Sequence, residues 1–173
     1  MSVIFCHGLE SGPHGNKFRA LTEAGLEVES PDFKGMNFVQ RTNYLLSFLE
    51  LRREVVLVGS SFGGAVAAVA SAFSQAVRGL VLCAPSMEHP EVPPLHSFAP
   101  AIPCSVTIIH GVYDEVVPFS VSARFLEGLP GRNTLISVED GHRLSSSADL
   151  VVSETRKAAD LLEGQADRRR QPV

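Results

Sequence analysis

The sequence predicts an α/β fold: a three-layer sandwich in which a mostly parallel six-stranded sheet carries helices on both faces. Two observations lead there. Six short apolar runs alternate with helical segments along the 173 residues, and such alternation folds into parallel strands joined by right-handed crossovers. Two of the runs, Val55 to Val58 and Gly79 to Ala84, are apolar throughout, as in strands covered on both faces. The length suits one domain, 1–164, followed by a polar tail, 165–173.

Ser2 to Cys6 reads as the first strand. It runs into His7-Gly8-Leu9-Glu10-Ser11-Gly12-Pro13-His14-Gly15, a loop rich in turn formers. Asn16 is placed to cap a helix over Lys17 to Ala24, with Phe18, Leu21 and Ala24 on one face and Gly25 as the stop. Leu26 to Ser30 alternates apolar with acidic residues, the pattern of an edge strand, and Pro31 ends it. Asp32 is read as a capping residue. Phe38 to Glu50 is the next helix, offering Val39, Leu45, Leu46 and Leu49 to the core.

Val55 to Val58 leads into Gly59-Ser60-Ser61-Phe62-Gly63 and then an Ala/Val-rich helix to about Phe73. A serine on a sharp strand-to-helix turn adopts a strained backbone, so the residues two before and two after it must be small. Gly59 and Gly63 satisfy that spacing for Ser61 and not for Ser60. Small residues along the helix let its axis approach the sheet, and its N-terminus directs N–H groups at the turn.

After Gly79 to Ala84 comes a stretch, Pro85 to Pro103, that holds six of the eleven prolines. Regular helix is disfavoured there. Its apolar residues Met87, Leu95 and Phe98 suit either a pocket wall or lid, or a crossover packed on the core. His89 and His96 read as exposed. Ser105 to His110 is a β-branched strand ending in Gly111-Val112-Tyr113-Asp114, and Pro118 opens a helix from Phe119 to Glu127 that Gly128 and Pro130 end. Asn133 to Val138 is the last strand, followed by Glu139-Asp140-Gly141-His142. Ser146 and Asp149 have capping-box spacing before the final helix.

Ligands of parallel sheets gather at the carboxyl ends of the strands. The His7–Gly15 loop, Ser61, Asp114 and His142 all follow strand ends. A serine hydroxyl needs a base to take its proton, and an imidazole needs a carboxylate to fix its tautomer. His142 is the candidate base and Asp114 the orienter. Asp140 is the rival, but it sits two residues from the imidazole in a turn-forming pair. The oxyanion that develops on attack calls for preorganised N–H donors, assigned to the backbones of Phe62 and Leu9. His7, Met87, Leu95, Phe98 and Val116 are candidate pocket residues.

Together, His7-Gly8, Gly59-Ser60-Ser61-Phe62-Gly63, His110-Gly111-x-x-Asp114-x-x-Val117-Pro118 and Gly141-His142 resemble the α/β-hydrolase superfamily, in its order Ser, Asp, His. The chain is similar to small, capless, YqiA-like esterases, with the fold's first two strands and its cap domain absent. The resemblance implies a serine hydrolase of the carboxylesterase or thioesterase type (EC 3.1), with an acyl-enzyme on Ser61, and no cofactor or metal. Epoxide hydrolases and haloalkane dehalogenases place aspartate at the nucleophile, which excludes them. A small-molecule binding or signalling protein on the same fold, and an acyltransferase, are the alternatives.

A net charge of −4 argues against nucleic acid as a partner. No run reaches the roughly 20 apolar residues of a membrane span, and no secretory signal begins the chain. Cys6, Cys83 and Cys104 read as reduced, structural thiols. The expectation is a cytoplasmic protein acting on a small ester or thioester, its Arg168-Arg169-Arg170 cluster lying in the solvated tail.

Overall fold

A computed structural model describes residues 2–170, with side chains described through residue 161. Six parallel strands form one sheet: β1 (Ser2–Cys6), β2 (Val28–Glu29), β3 (Val55–Ser60), β4 (Val77–Cys83), β5 (Ser105–Gly111) and β6 (Thr134–Val138). Their order is β2-β1-β3-β4-β5-β6, with every pair parallel. The expected six-stranded α/β sheet is present. The order reverses at β1, the carboxyl-end position where such sheets open a crevice.

Alternation along the strands divides the interior into two cores. Ile4, Leu57, Leu80, Leu82 and Ile108 face one side, where they meet Leu45 and Leu49 of α2 (Phe38–Glu50), Val66 of α3 (Phe62–Ala72) and Phe125 of α4 (Phe119–Glu127). Val3, Phe5, Val56, Val58 and Val81 face the other, covered by Leu21 of α1 (Asn16–Glu23) and Val151 of α5 (Ala148–Arg170). Helices on both faces make the three layers. Among the described residues no helix is long and apolar enough to cross a membrane.

Several local expectations are corrected. Gly15, not Asn16, precedes α1, and the Asn16 carboxamide instead accepts from the Arg19 guanidinium. Asp32 caps no helix; it accepts from the Lys34 N–H in a tight turn. The cap of α2 is Asn37, whose side chain accepts from Gln40 N–H while the Gln40 side chain accepts from Asn37 N–H, both at 2.9 Å. That reciprocal pair is a capping box. At the start of α5 the Asp140 carboxylate takes Ser146 N–H and the Ser147 hydroxyl, in place of a Ser146–Asp149 box.

Leu26 to Ser30 contributes only two paired residues, at the sheet edge where its alternation placed it. Helix α5 continues to Arg170, because Glu, Gln, Ala and Arg after Leu162 are good helix formers despite Gly164. The tail expected from residue 165 is therefore helix to 170, with 171–173 outside the described residues.

Pro85 to Pro103 forms two single 3-10 turns, Leu95–Ser97 and Ala99–Ala101, and no α-helix. Met87, Phe98, Ala99 and Ile102 are buried in the first core. The segment is a crossover between β4 and β5 whose apolar side chains complete that core.

Candidate active site

Ser61 lies between β3 and α3 with φ 54° and ψ −121°. A non-glycine residue holds such a backbone only where its surroundings force it. Here they do. The Ser61 N–H donates to Cys83 O at 2.9 Å, while Ser61 O accepts from Gly64 N–H at 2.9 Å and Ser86 N–H at 3.1 Å.

The two glycines of the turn act through space. A Cβ on Gly59 would lie 2.6 Å from Gly64 Cα, and one on Gly63 would lie 2.2 Å from Cys6 O. Only glycine lets α3 start against the end of β1. Gly8 approaches from the first loop, where a Cβ would sit 3.6 Å from Ser61 Cβ.

The Ser61 hydroxyl is 2.9 Å from His142 Nε2, and His142 Nδ1 is 2.7 Å from Asp114 Oδ2. The carboxylate can only accept, so Nδ1 carries the proton and Nε2 is free to accept from the serine. Ser61, Asp114 and His142, each past the end of a different strand, thus form one hydrogen-bonded chain. Asp114 Oδ1 accepts from Val116 and Val117 N–H, both at 2.8 Å. Burial alone would raise the Asp114 pKa, but the Val117 N–H, His142 and the Val116 N–H outweigh it and hold the carboxyl below its ordinary value.

Asp140 turns elsewhere. Its carboxylate accepts from Gly141 N–H, Ser146 N–H and the Ser147 hydroxyl, so it shapes the loop that presents His142. These bonds outweigh desolvation and lower its pKa as well. Gly111 lets this loop close on β5: a Cβ there would meet Asp140 O at 2.2 Å.

Phe62 is the first residue of α3, where a backbone N–H has no intrahelical acceptor. Leu9 is exposed in the first loop, one residue past Gly8. Of the candidate pocket residues, Val116 is exposed and Leu95 half-buried against the core. The other three are buried. Met87 and Phe98 fill the first core. His7 is fully buried, its Nε2 accepting from Phe33 N–H at 3.0 Å and its Nδ1 2.9 Å from Gly8 O. Apolar or aromatic side chains beside a strand end are drawn inward wherever the chain can cover them.

Three residues escaped the sequence reading. Ser86 Oγ is 3.1 Å from Ser61 Oγ; with the Ser61 proton directed at His142, Ser86 is the donor. His110 lies buried behind Asp114, its Nε2 3.1 Å from Asp114 Oδ2 and 2.9 Å from Val117 O, its Nδ1 2.7 Å from the Ser122 hydroxyl. Arg41 is buried beneath the first loop. No spacing rule marks Ser86 or Arg41; His110 lay in the strand-end segment but was read only as part of the strand. All three cysteines are free, and burial pushes the Cys83 and Cys104 thiols up to about 11, leaving little thiolate for chemistry.

The chain resembles solved hydrolases along nearly its whole length. A Xanthomonas campestris protein assigned to the alpha/beta superfamily of hydrolases is 29% identical, with TM-score 0.73 and coverage of 94% of this chain and 97% of that one. Est1E from Butyrivibrio proteoclasticus superposes with TM-score 0.81 at 17% identity, covering 94% and 88%. Mouse alpha/beta hydrolase domain-containing protein 10 does so with TM-score 0.80 at 19% identity, covering 93% and 90%. Among curated proteins none matches by sequence. The family model of the alpha/beta hydrolases matches residues 3–172. With that match spanning the sheet and the serine turn, the chain belongs to the alpha/beta hydrolase family.

Proposed function

We propose that the protein is a serine hydrolase that cleaves a small carboxylic ester or thioester through an acyl-enzyme on Ser61. The observation that carries this reading is the unbroken hydrogen-bonded chain Ser61–His142–Asp114. His142 Nε2 takes the Ser61 proton as Oγ bonds to the substrate carbonyl carbon, and Asp114 stabilises the imidazolium. The oxyanion is met by the N–H groups of Phe62 and Leu9, the first aided by the positive end of α3. Collapse expels the alcohol or thiol, which takes the proton from Nε2. Water then repeats the sequence on the acyl-enzyme, with His142 as base, and releases the acid.

Asp114, held below its usual pKa, stays ionised throughout. Support for the substrate class comes from the half-buried Ser61 and from two fold neighbours: Est1E, with bound ferulic acid, and a monoacylglycerol lipase from Paleococcus ferrophilus. Exposed Leu9 and Val116 offer apolar contact to an acyl chain. The reading places the protein with the YqiA-like esterases, in the cytoplasm, without nucleic-acid or membrane partners.

A fluorophosphonate probe tests it. Wild type should be labelled stoichiometrically at Ser61 and Ser61→Ala not at all. An unlabelled wild type would instead favour a small-molecule binding protein.

A further inference from the structure

Arg41, in the first turn of α2, is 2% exposed. Its Nε donates to Met36 O at 3.0 Å, and its NH1 donates to His7 O at 3.4 Å and Gly8 O at 3.3 Å. The guanidinium centre is 5.6 Å from the Phe33 ring centroid and 5.2 Å from that of Phe62. No salt bridge among the described residues involves it. Glu91 and Asp32 act on its charge from beyond ion-pair distance, Glu91 accepting from Phe38 N–H and Asp32 from Lys34 N–H. A buried cation without a paired carboxylate is held against its desolvation only for a reason on the spot.

That reason lies at the Gly8–Leu9 peptide. Gly8 O accepts from Arg41 and also from His7 Nδ1–H, because His7 Nε2 is taken by Phe33 N–H. In a trans peptide the carbonyl and the following N–H point in opposite directions. Two interior donors on Gly8 O therefore turn the Leu9 N–H away from the core. Donation into the carbonyl, from a cation above all, also polarises the amide and strengthens its N–H as a donor.

We propose that Arg41, with His7, is a positioning residue for the oxyanion hole. It pins the Gly8 carbonyl inward, aims the Leu9 N–H at the reaction centre, and keeps behind that peptide a positive charge that attracts the oxyanion as it forms. The proposal rests on the reading of Leu9 as an oxyanion donor. Phe62 is bound into the same arrangement, since its ring flanks the guanidinium while its N–H begins α3.

A trifluoromethyl ketone, which adds to the active serine as a hemiketal oxyanion, separates this role from a merely structural one. Carbon-13 titration of the adduct reads the oxyanion pKa. Arg41→Met should lower kcat by about 10- to 100-fold with KM within about threefold, and should raise the oxyanion pKa by about one unit, equivalent to about tenfold. Arg41→Lys, which keeps the charge but loses the fork across two carbonyls, should fall between Met and wild type in both readouts. Should Arg41→Met not fold, Arg41→Lys carries the test, with a smaller rise. An oxyanion pKa unchanged in the folded variants overturns the proposal and leaves the serine mechanism standing. A wild type that forms no adduct at Ser61 overturns both.

Discussion

At the residue scale, the site turns on which carboxylate faces His142. Asp114 Oδ2 is 2.7 Å from Nδ1, whereas Asp140 is committed to its own loop. Asp114→Asn should therefore reduce kcat by about 10⁴, because an amide no longer fixes the tautomer or offsets the imidazolium. Asp140→Asn should reduce it far less, through a looser loop. Steady-state kinetics on a p-nitrophenyl ester compare the two, and the reverse ranking would reassign the orienter. Ser61, Asp114 and His142 were legible because each combines a reactive side chain with a strand end, and glycine spacing selected Ser61 over Ser60. Ser86 and Arg41 were not. Their importance comes from proximity across the fold, and nothing in an isolated serine after Ala84-Pro85, or an arginine in an amphipathic helix, signals it.

At the scale of elements, close approach of α3 to β1 sets the position of Ser61. Gly63→Ala would place a methyl 2.2 Å from Cys6 O and 2.3 Å from His7 O. Backbone oxygens at a strand end cannot yield cheaply, so the substitution should destabilise by about 3 kcal/mol or more and shift Ser61 besides. Gly12→Ala, with no atom within 4 Å of its Cβ position, should stay within about 0.5 kcal/mol of wild type. Urea unfolding monitored by circular dichroism measures both. The strands were legible from their apolar runs, α1 from its periodicity and the Gly25 stop, and α4 from Pro118 and the Gly128 stop. Caps were read less well. Asn16 and Ser146 had the right side chains, but the chain turned one residue earlier at Gly15, and Asp140 reached in from a preceding loop. Such competition between cap acceptors is settled by tertiary placement.

At the scale of the whole molecule, six parallel strands bring the loops after β1, β3, β5 and β6 to one end of the sheet. Alternation of strands and helices carried that architecture in the sequence. The function of Pro85 to Pro103 was hidden, since prolines and scattered apolar residues describe a stiff wall and a core-packing crossover equally well. Only the burial of Met87 and Phe98 decides between them.

The same packing gives stability a pH dependence. Burial lowers the His7 pKa; the bond to Gly8 O opposes this, Arg41 adds to it, and Asp32 opposes it. His7 thus stays neutral when folded, and a histidine with a depressed folded pKa contributes stability that is complete above its unfolded value of about 6.5 and is lost as pH falls toward the folded value. The thermal midpoint should decline between about pH 7 and pH 5, and His7→Gln should flatten that slope while lowering the plateau. Equal slopes in the two proteins would place the dependence elsewhere.

The proposed mechanism is covalent, passing an acyl group through Ser61. Intact-protein and peptide mass spectrometry after rapid acid quench of a p-nitrophenyl acetate reaction detects such an intermediate. One acetyl group per chain is expected, located on Ser61, with a matching burst of nitrophenol, and neither in Ser61→Ala. Turnover with no adduct on Ser61, or undiminished turnover by Ser61→Ala, would overturn the covalent mechanism.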